Sequence, residues 1–171
     1  MAIRYSLCVT DDDFARASLF ILDNRRDLHP AYDVLSTVSM LYQSIAEGHL
    51  VKAENEAGQL IGLSIYQLRK RMDEKGERTV AFAGIAAADR NYRGSRIFVG
   101  GLKYMTSTIK EKHPEAAEFE LAAFSDNRYL CELYSKFARK VGTEEHELGE
   151  MSIYRATIDE IRTRMKAFDR L

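Results

Sequence analysis

The stretch Ile85–Gly101, IAAADRNYRGSRIFVGG, runs from an apolar strand into an arginine- and glycine-bearing turn and then straight into a helix. The leading amides of a helix have no acceptor inside it, and a preceding turn adds N–H groups that point the same way. Such a concavity suits a phosphate or pyrophosphate. Gly94 permits close approach or a positive φ, and Arg93 and Arg96 add positive charge. Plain helix capping uses the same residue types, so this pattern alone leaves both readings open. Gly100 and Gly101 should cost roughly 1 kcal/mol each relative to alanine inside a helix. Tight packing of that helix on a sheet would offset the cost.

A second stretch, Phe124–Gly142, reads FSDNRYLCELYSKFARKVG. Asn127 opens a helix, and Tyr134 lies two turns along the same face. By spacing alone Tyr134 is a core residue whose hydroxyl can reach a cleft. Cys131 sits in mid-helix with no histidine nearby in sequence, which makes it a small buried filler rather than a nucleophile. His29, His49, His113 and His146 show no metal-ligand spacing, so no metal is expected.

These residues must be positioned by the surrounding elements. Arg4–Val9 reads as a strand. Asp11-Asp12-Asp13 then offers N-caps to a helix that carries Phe14, Ala17, Ser18 and Ile21 and ends near Asn24. Arg25–Asp33 breaks at Pro30 into a loop or short turn. A second helix presents Val34, Val38, Leu41 and Ile45 on one face and stops at Gly48. Leu50–Glu54 and Gln59–Leu68 form a hairpin across Asn55-Glu56-Ala57-Gly58. The charge-dense Arg69–Arg78 reads as a solvated loop. Thr79–Ala87 is a central, doubly covered strand. The helix from about Ser95 carries Phe98, Leu102, Met105 and Ile109 and ends before Pro114.

Glu118–Phe124 is the next strand. The helix after Asn127 buries Leu130, Leu133, Tyr134 and Phe137 and terminates at Gly142. Two weaker strands, around Thr143–Leu148 and Met151–Ala156, lead to a final helix. Thr157-x-x-Glu160 is its capping box, and Ile158, Ile161, Met165 and Phe168 form its stripe. That stripe packs on its own sheet or forms a homodimer contact. The order β-α-α-β-β-β-α-β-α-β-β-α predicts a mixed, mostly antiparallel seven-stranded sheet flanked by helices, with an extra helix at the C-terminus.

Composition sets the bounds. With 171 residues, 46% apolar, the chain suits one domain over 1–171. Its 25 Lys+Arg against 26 Asp+Glu give a net charge of −1 and no field for gripping nucleic acid. No apolar run approaches the ~20 residues of a membrane span, and the first residues lack an apolar signal segment. Two cysteines, Cys8 and Cys131, make no disulfide framework. The expectation is a reduced, cytoplasmic α/β protein without nucleic-acid or membrane partners.

Three segments in the right order resemble the GNAT family of acyl-CoA-dependent N-acyltransferases. Val51–Gly62, VKAENEAGQLIG, is similar to the family's second and third strands, V-A-E-x-x-G-x-x-V-G. Ile85–Phe98 resembles the strand, turn and helix start that hold the signature Q/R-x-x-G-x-G/A. Asn127–Ala138, NRYLCELYSKFA, resembles N-x-x-A-x-x-L-Y-x-K-x-G. The likeness covers most of the chain. It departs at Asn91, which stands for Gln or Arg, and at Arg96, which stands for the last small residue. It departs again at Leu130 for the common Ala and at Ala138 for the usual Gly.

The resemblance implies a GNAT fold and transfer of an acyl group from acetyl-CoA, or another acyl-CoA, to a small-molecule amine. It implies that the amides of Arg93, Gly94, Ser95, Arg96, Ile97 and Phe98 cradle the donor's pyrophosphate. The backbone of Ile85, Ala86 and Ala87 would pair with the pantetheine arm where that strand splays from Glu118–Phe124. Asn127 would contact the arm, and Tyr134 would protonate the departing thiolate as general acid. The base stays open among Glu118, Glu120 and a water chain, since either carboxylate can equally be salt-bridged. Alternatives are a non-catalytic acyl-CoA-binding or regulatory module on the same scaffold, or transfer from a longer acyl-CoA or an acyl carrier protein.

Overall fold

A computed structural model describes residues 2–168, and for Ser95 the backbone only. The elements are β1 (Arg4–Leu7), α1 (Asp11–Asp23), α2 (Arg25–Leu28), α3 (Val34–Glu47), β2 (His49–Glu54), β3 (Leu60–Asp73) and β4 (Gly76–Ala88). After them come α4 (Ser95–Lys112), β5 (Ala116–Phe124), α5 (Arg128–Ser135), β6 (Arg139–His146), β7 (Gly149–Thr157) and α6 (Ile158–Phe168). The strands form one seven-stranded sheet in the order β1-β2-β3-β4-β5-β7-β6. The mixed sheet with flanking helices is the expected architecture. Its residues fall into two compact units.

The first unit comprises Met1–Gln67 and Ile85–Tyr104. Ala17, Phe20 and Ile21 of α1 and Leu41 of α3 pack on Leu50, Leu63 and Ile65 of β2 and β3. The cap of α1 is Thr10 rather than one of the three aspartates. Its hydroxyl accepts from the Asp13 amide at 3.1 Å, and the Asp13 carboxylate accepts from the Thr10 amide at 3.2 Å. Asp11–Asp13 instead fill the first turn, where the helix dipole favours carboxylates. The segment after Asn24 contains the short helix α2 where a loop or turn was expected.

In α3 the inward face differs from the expected one. Thr37 and Leu41 are buried, whereas Val34 and Val38 are 51% and 47% exposed. Thr37 tolerates the apolar side because its hydroxyl donates to the Asp33 carbonyl at 2.6 Å. Helix α4 packs tightly on β1, as its glycines suggested. A Cβ on Gly100 would clash with the Tyr5 hydroxyl, which donates to the Ile97 carbonyl at 3.0 Å.

The second unit comprises Leu68–Gly84 and Met105–Leu171. Here β4 pairs parallel with β5, and β7 pairs antiparallel with both β5 and β6. The Thr157/Glu160 capping box forms as expected, with bonds of 3.1 and 2.8 Å. Ile158, Ile161 and Met165 of α6 are buried, and the Phe168 ring lies 5.0 Å from that of Phe137.

Two expectations fail in this unit. Arg69–Arg78 is no solvated loop: β3 runs to Asp73 and β4 begins at Gly76, because arginines on these strands find carboxylates on β5 and β6. Gly142 does not terminate α5. That helix ends at Ser135, and Gly142 lies within β6 at a register shift.

Candidate active site

In the first unit, β4 ends where the Asp89 amide donates to the Ile61 carbonyl at 2.8 Å. The Asp89 carboxylate accepts from the Asn91 amide at 2.8 Å and folds Arg90–Tyr92 into a single tight turn. Gly94 follows with φ +151°, a backbone angle that glycine alone adopts readily, and α4 begins at the next residue. A Cβ placed on Gly94 would meet no heavy atom within 4 Å, so the main chain is open on that side. Ile97 is buried with Ala53 and Ile61 and anchors the first turn of the helix. Arg96 is exposed. Arg93 turns toward Asp27, with Nη2 2.6 Å from the carboxylate, and Arg90 shares that carboxylate at 3.2 Å.

Ile85 and Ala87 set their side chains against the α1/α3 core, and all of 85–87 is partly buried. These residues lie beyond the last pair of the β4–β5 ladder. That ladder runs from Thr79↔Ala116 to Ala83↔Leu121, whereas β5 itself continues to Phe124 beside β7.

In the second unit, Asn127 caps α5 by accepting from the Leu130 amide at 3.1 Å. Tyr134 is 3% exposed, and its ring meets Tyr154 edge to face at 6.2 Å. Burial, with a smaller effect of Cys131, pushes the Tyr134 phenol well above its ordinary range. Burial and a hydrogen bond with Cys131 push Tyr154 up to about 12, against the opposing bond with Ser152. The Cys131 thiol is half-buried, 3.5 Å from the Phe124 carbonyl.

Both carboxylates of β5 are paired with arginines. Glu120 is 0% exposed, with one oxygen 2.6 Å from Arg71 Nη2 and the other 2.6 Å from Arg155 Nη2. Glu118 pairs with Arg78 at 2.9 Å. The sequence leaves these carboxylates open to salt bridges but does not name their arginine partners. The signal was the period-two spacing of Arg69/Arg71 and Glu118/Glu120, which puts each pair on one face of a strand.

No protein-family model and no curated protein matches the sequence. Solved structures do match over nearly the whole chain. Arabidopsis thaliana NAA60 in complex with acetyl-CoA is 15% identical and covers 92% of this chain and 99% of its own, with a TM-score of 0.68. A GNAT-family acetyltransferase from Staphylococcus aureus is also 15% identical, with the same coverages and a TM-score of 0.67. Ribosomal-protein-S5-alanine acetyltransferase from Vibrio fischeri is 10% identical and covers 93% and 94%, with a TM-score of 0.66. The chain has the GNAT fold.

The turn at Gly94 joins an open positive-φ glycine to the start of an 18-residue helix, with Arg96 exposed and Arg90 and Arg93 engaged with Asp27. The Ser95 side chain lies outside what is described. Among the described residues no group of three or more His, Cys, Asp or Glu could hold a metal ion. None of the described helices is long and apolar enough to cross a membrane.

Proposed function

We propose that this protein is an acyl-CoA-dependent N-acyltransferase, with acetyl-CoA as its first candidate donor. The observation that carries this reading is the Gly94 turn, open on one side and leading into α4. The fold and the early end of the β4–β5 ladder support it.

In this reading the amides of Arg93–Phe98 bind the donor's diphosphate, and the main chain of Ile85–Ala87 pairs with its pantetheine arm. Asn127 approaches the same arm. Backbone N–H groups oriented by the strand stabilise the negative charge that develops as an amine attacks the thioester. Holding donor and acceptor together supplies most of the acceleration. Tyr134 gives its proton to the departing sulfur, a role that a phenol protonated at neutral pH can fill, and the proton shed by the attacking nitrogen returns to the phenolate through a water chain. The acceptor is an amine.

The test is thiol release from acetyl-CoA and longer acyl-CoAs across a panel of amines. Acceptor-dependent release by the wild type, and its loss in Tyr134→Phe, is the expected result. Undiminished release in that variant removes the acid assignment.

A second reading, a non-catalytic acyl-CoA-binding module, is favoured by the engagement of Glu118 and Glu120 with arginines. Thermal stabilisation by acyl-CoAs with no turnover on any amine would select it.

A further inference from the structure

Across one face of the sheet in the second unit, two arginines of β3 grip a single carboxylate of the edge strand β6. Arg71 Nη1 lies 2.7 Å from Glu144 Oε1, and Arg69 Nη1 lies 3.4 Å from Glu144 Oε2. Both guanidinium groups are held from behind. Arg71 donates Nε and Nη2 to the fully buried Glu120, at 3.2 and 2.6 Å. The Arg69 guanidinium lies over the Phe82 ring, 3.6 Å from its centroid. Phe82 itself belongs to an apolar floor with Ala122 and Ile153, edged by Met151.

The held arginines and the grasped carboxylate differ in kind. A buried partner fixes Arg71 and an aromatic ring supports Arg69, so neither loses much freedom when it binds an anion. Glu144, by contrast, is 37% exposed on an edge strand, and its side chain can turn to solvent without breaking a ladder bond. Two guanidinium groups aimed at the two oxygens of one carboxylate form an anion site that already contains a carboxylate.

We propose that Arg69 and Arg71 form a carboxylate-binding site beside the Phe82 floor, that Glu144 is its exchangeable internal occupant, and that the external ligand is an amine acceptor bearing a carboxylate. The acceptor part rests on the acyltransferase reading; the anion site does not. Tyr154 and Arg155 are consecutive on β7, so the arginine cluster and the Tyr134–Tyr154 pair lie on opposite faces of the sheet. A ligand docked at Arg69 and Arg71 thus approaches from the side away from the proposed acid.

Thermal unfolding tests the site, in sodium acetate and in sodium chloride at equal ionic strength. Glu144→Ala vacates the position, and Glu144→Gln serves as a second background that keeps the shape and drops the charge. Acetate is expected to raise the Tm of Glu144→Ala by a few degrees over chloride. It should leave the wild type and Arg69→Gln/Glu144→Ala unchanged. No acetate-specific rise in either single variant, or an equal rise in the double variant, overturns the proposal.

The acceptor is tested by acetyl transfer to β-alanine against β-alaninamide. A lower KM for β-alanine in the wild type, lost in Arg71→Gln, is the expected result. Equal KM values, or a preference for the amide, overturn the acceptor assignment. Transfer to neither, with the acetate response intact, supports the anion site and removes the acceptor assignment; the acyltransferase reading stands or falls on the amine panel.

Discussion

Tyr134 of α5 and Tyr154 of β7 meet edge to face, ring centroids 6.2 Å apart, both nearly sealed from solvent. Packing of this kind needs only the rings, whereas the proposed acid needs the Tyr134 hydroxyl. The two roles separate in Tyr134→Phe. The variant should fold and bind acetyl-CoA with unchanged affinity. Its kcat should fall by roughly 10²–10⁴-fold, the range for loss of a positioned proton donor. Calorimetry with acetyl-CoA and steady-state thiol release measure the two quantities independently.

Gly94 should not tolerate a side chain even though space is open around it. Its φ of +151° is strained for any L-residue, so Gly94→Ala should cost more than about 1 kcal/mol. The same change should weaken acetyl-CoA binding, because the turn relaxes away from the geometry that aims its amides. Denaturant unfolding and a donor titration on the same preparation check both effects.

Glu120 is a structural anion. Replacing it by Gln leaves the two guanidinium groups of Arg71 and Arg155 partly buried without their shared charge, and such losses cost about 3–5 kcal/mol. Equilibrium unfolding of Glu120→Gln should show this as a lower denaturant midpoint. A nearly neutral effect would mean that solvent already screens the cluster.

The first unit carries its own acid-sensitive pair. Hydrogen bonds from Lys52 and from the Val9 and Thr10 amides hold the Asp13 carboxyl well below the usual carboxylate range. Burial would raise Glu54, but its bonds with Lys52 and Arg16 outweigh burial and leave it lowered. Both groups therefore bind protons more readily in the unfolded chain. Their stabilising effect is complete above the unfolded pKa of ~4, and it is lost as pH falls through the lower folded values. Stability from pH 6 to 2 should drop below about pH 4, and Lys52→Met should flatten that drop.

Much of the fold is legible because local patterns and long-range packing agree. Thr157 and Glu160 cap α6 through neighbours three residues apart, and Asn55 to Gly58 close a hairpin by themselves. The turn before α4 is legible for the same reason. The Arg69–Arg78 strands are not, because their charges look solvated until β5 and β6 supply partners far away in sequence. The α3 face is misjudged because Thr37 satisfies its hydroxyl within the helix and so passes for apolar. For the candidate site, capping by Asn127 and the glycine angle at 94 follow from residue type. The diversion of Arg93 onto Asp27 depends on a tertiary contact that no spacing reveals.

Backbone amide NMR during an acetyl-CoA titration decides whether the Gly94 turn holds the donor. Saturable shifts should concentrate at Arg93–Phe98 and Ile85–Ala87 and weaken in Gly94→Ala. An absence of saturable shifts, or shifts that cluster elsewhere and persist in Gly94→Ala, would contradict that role for the turn.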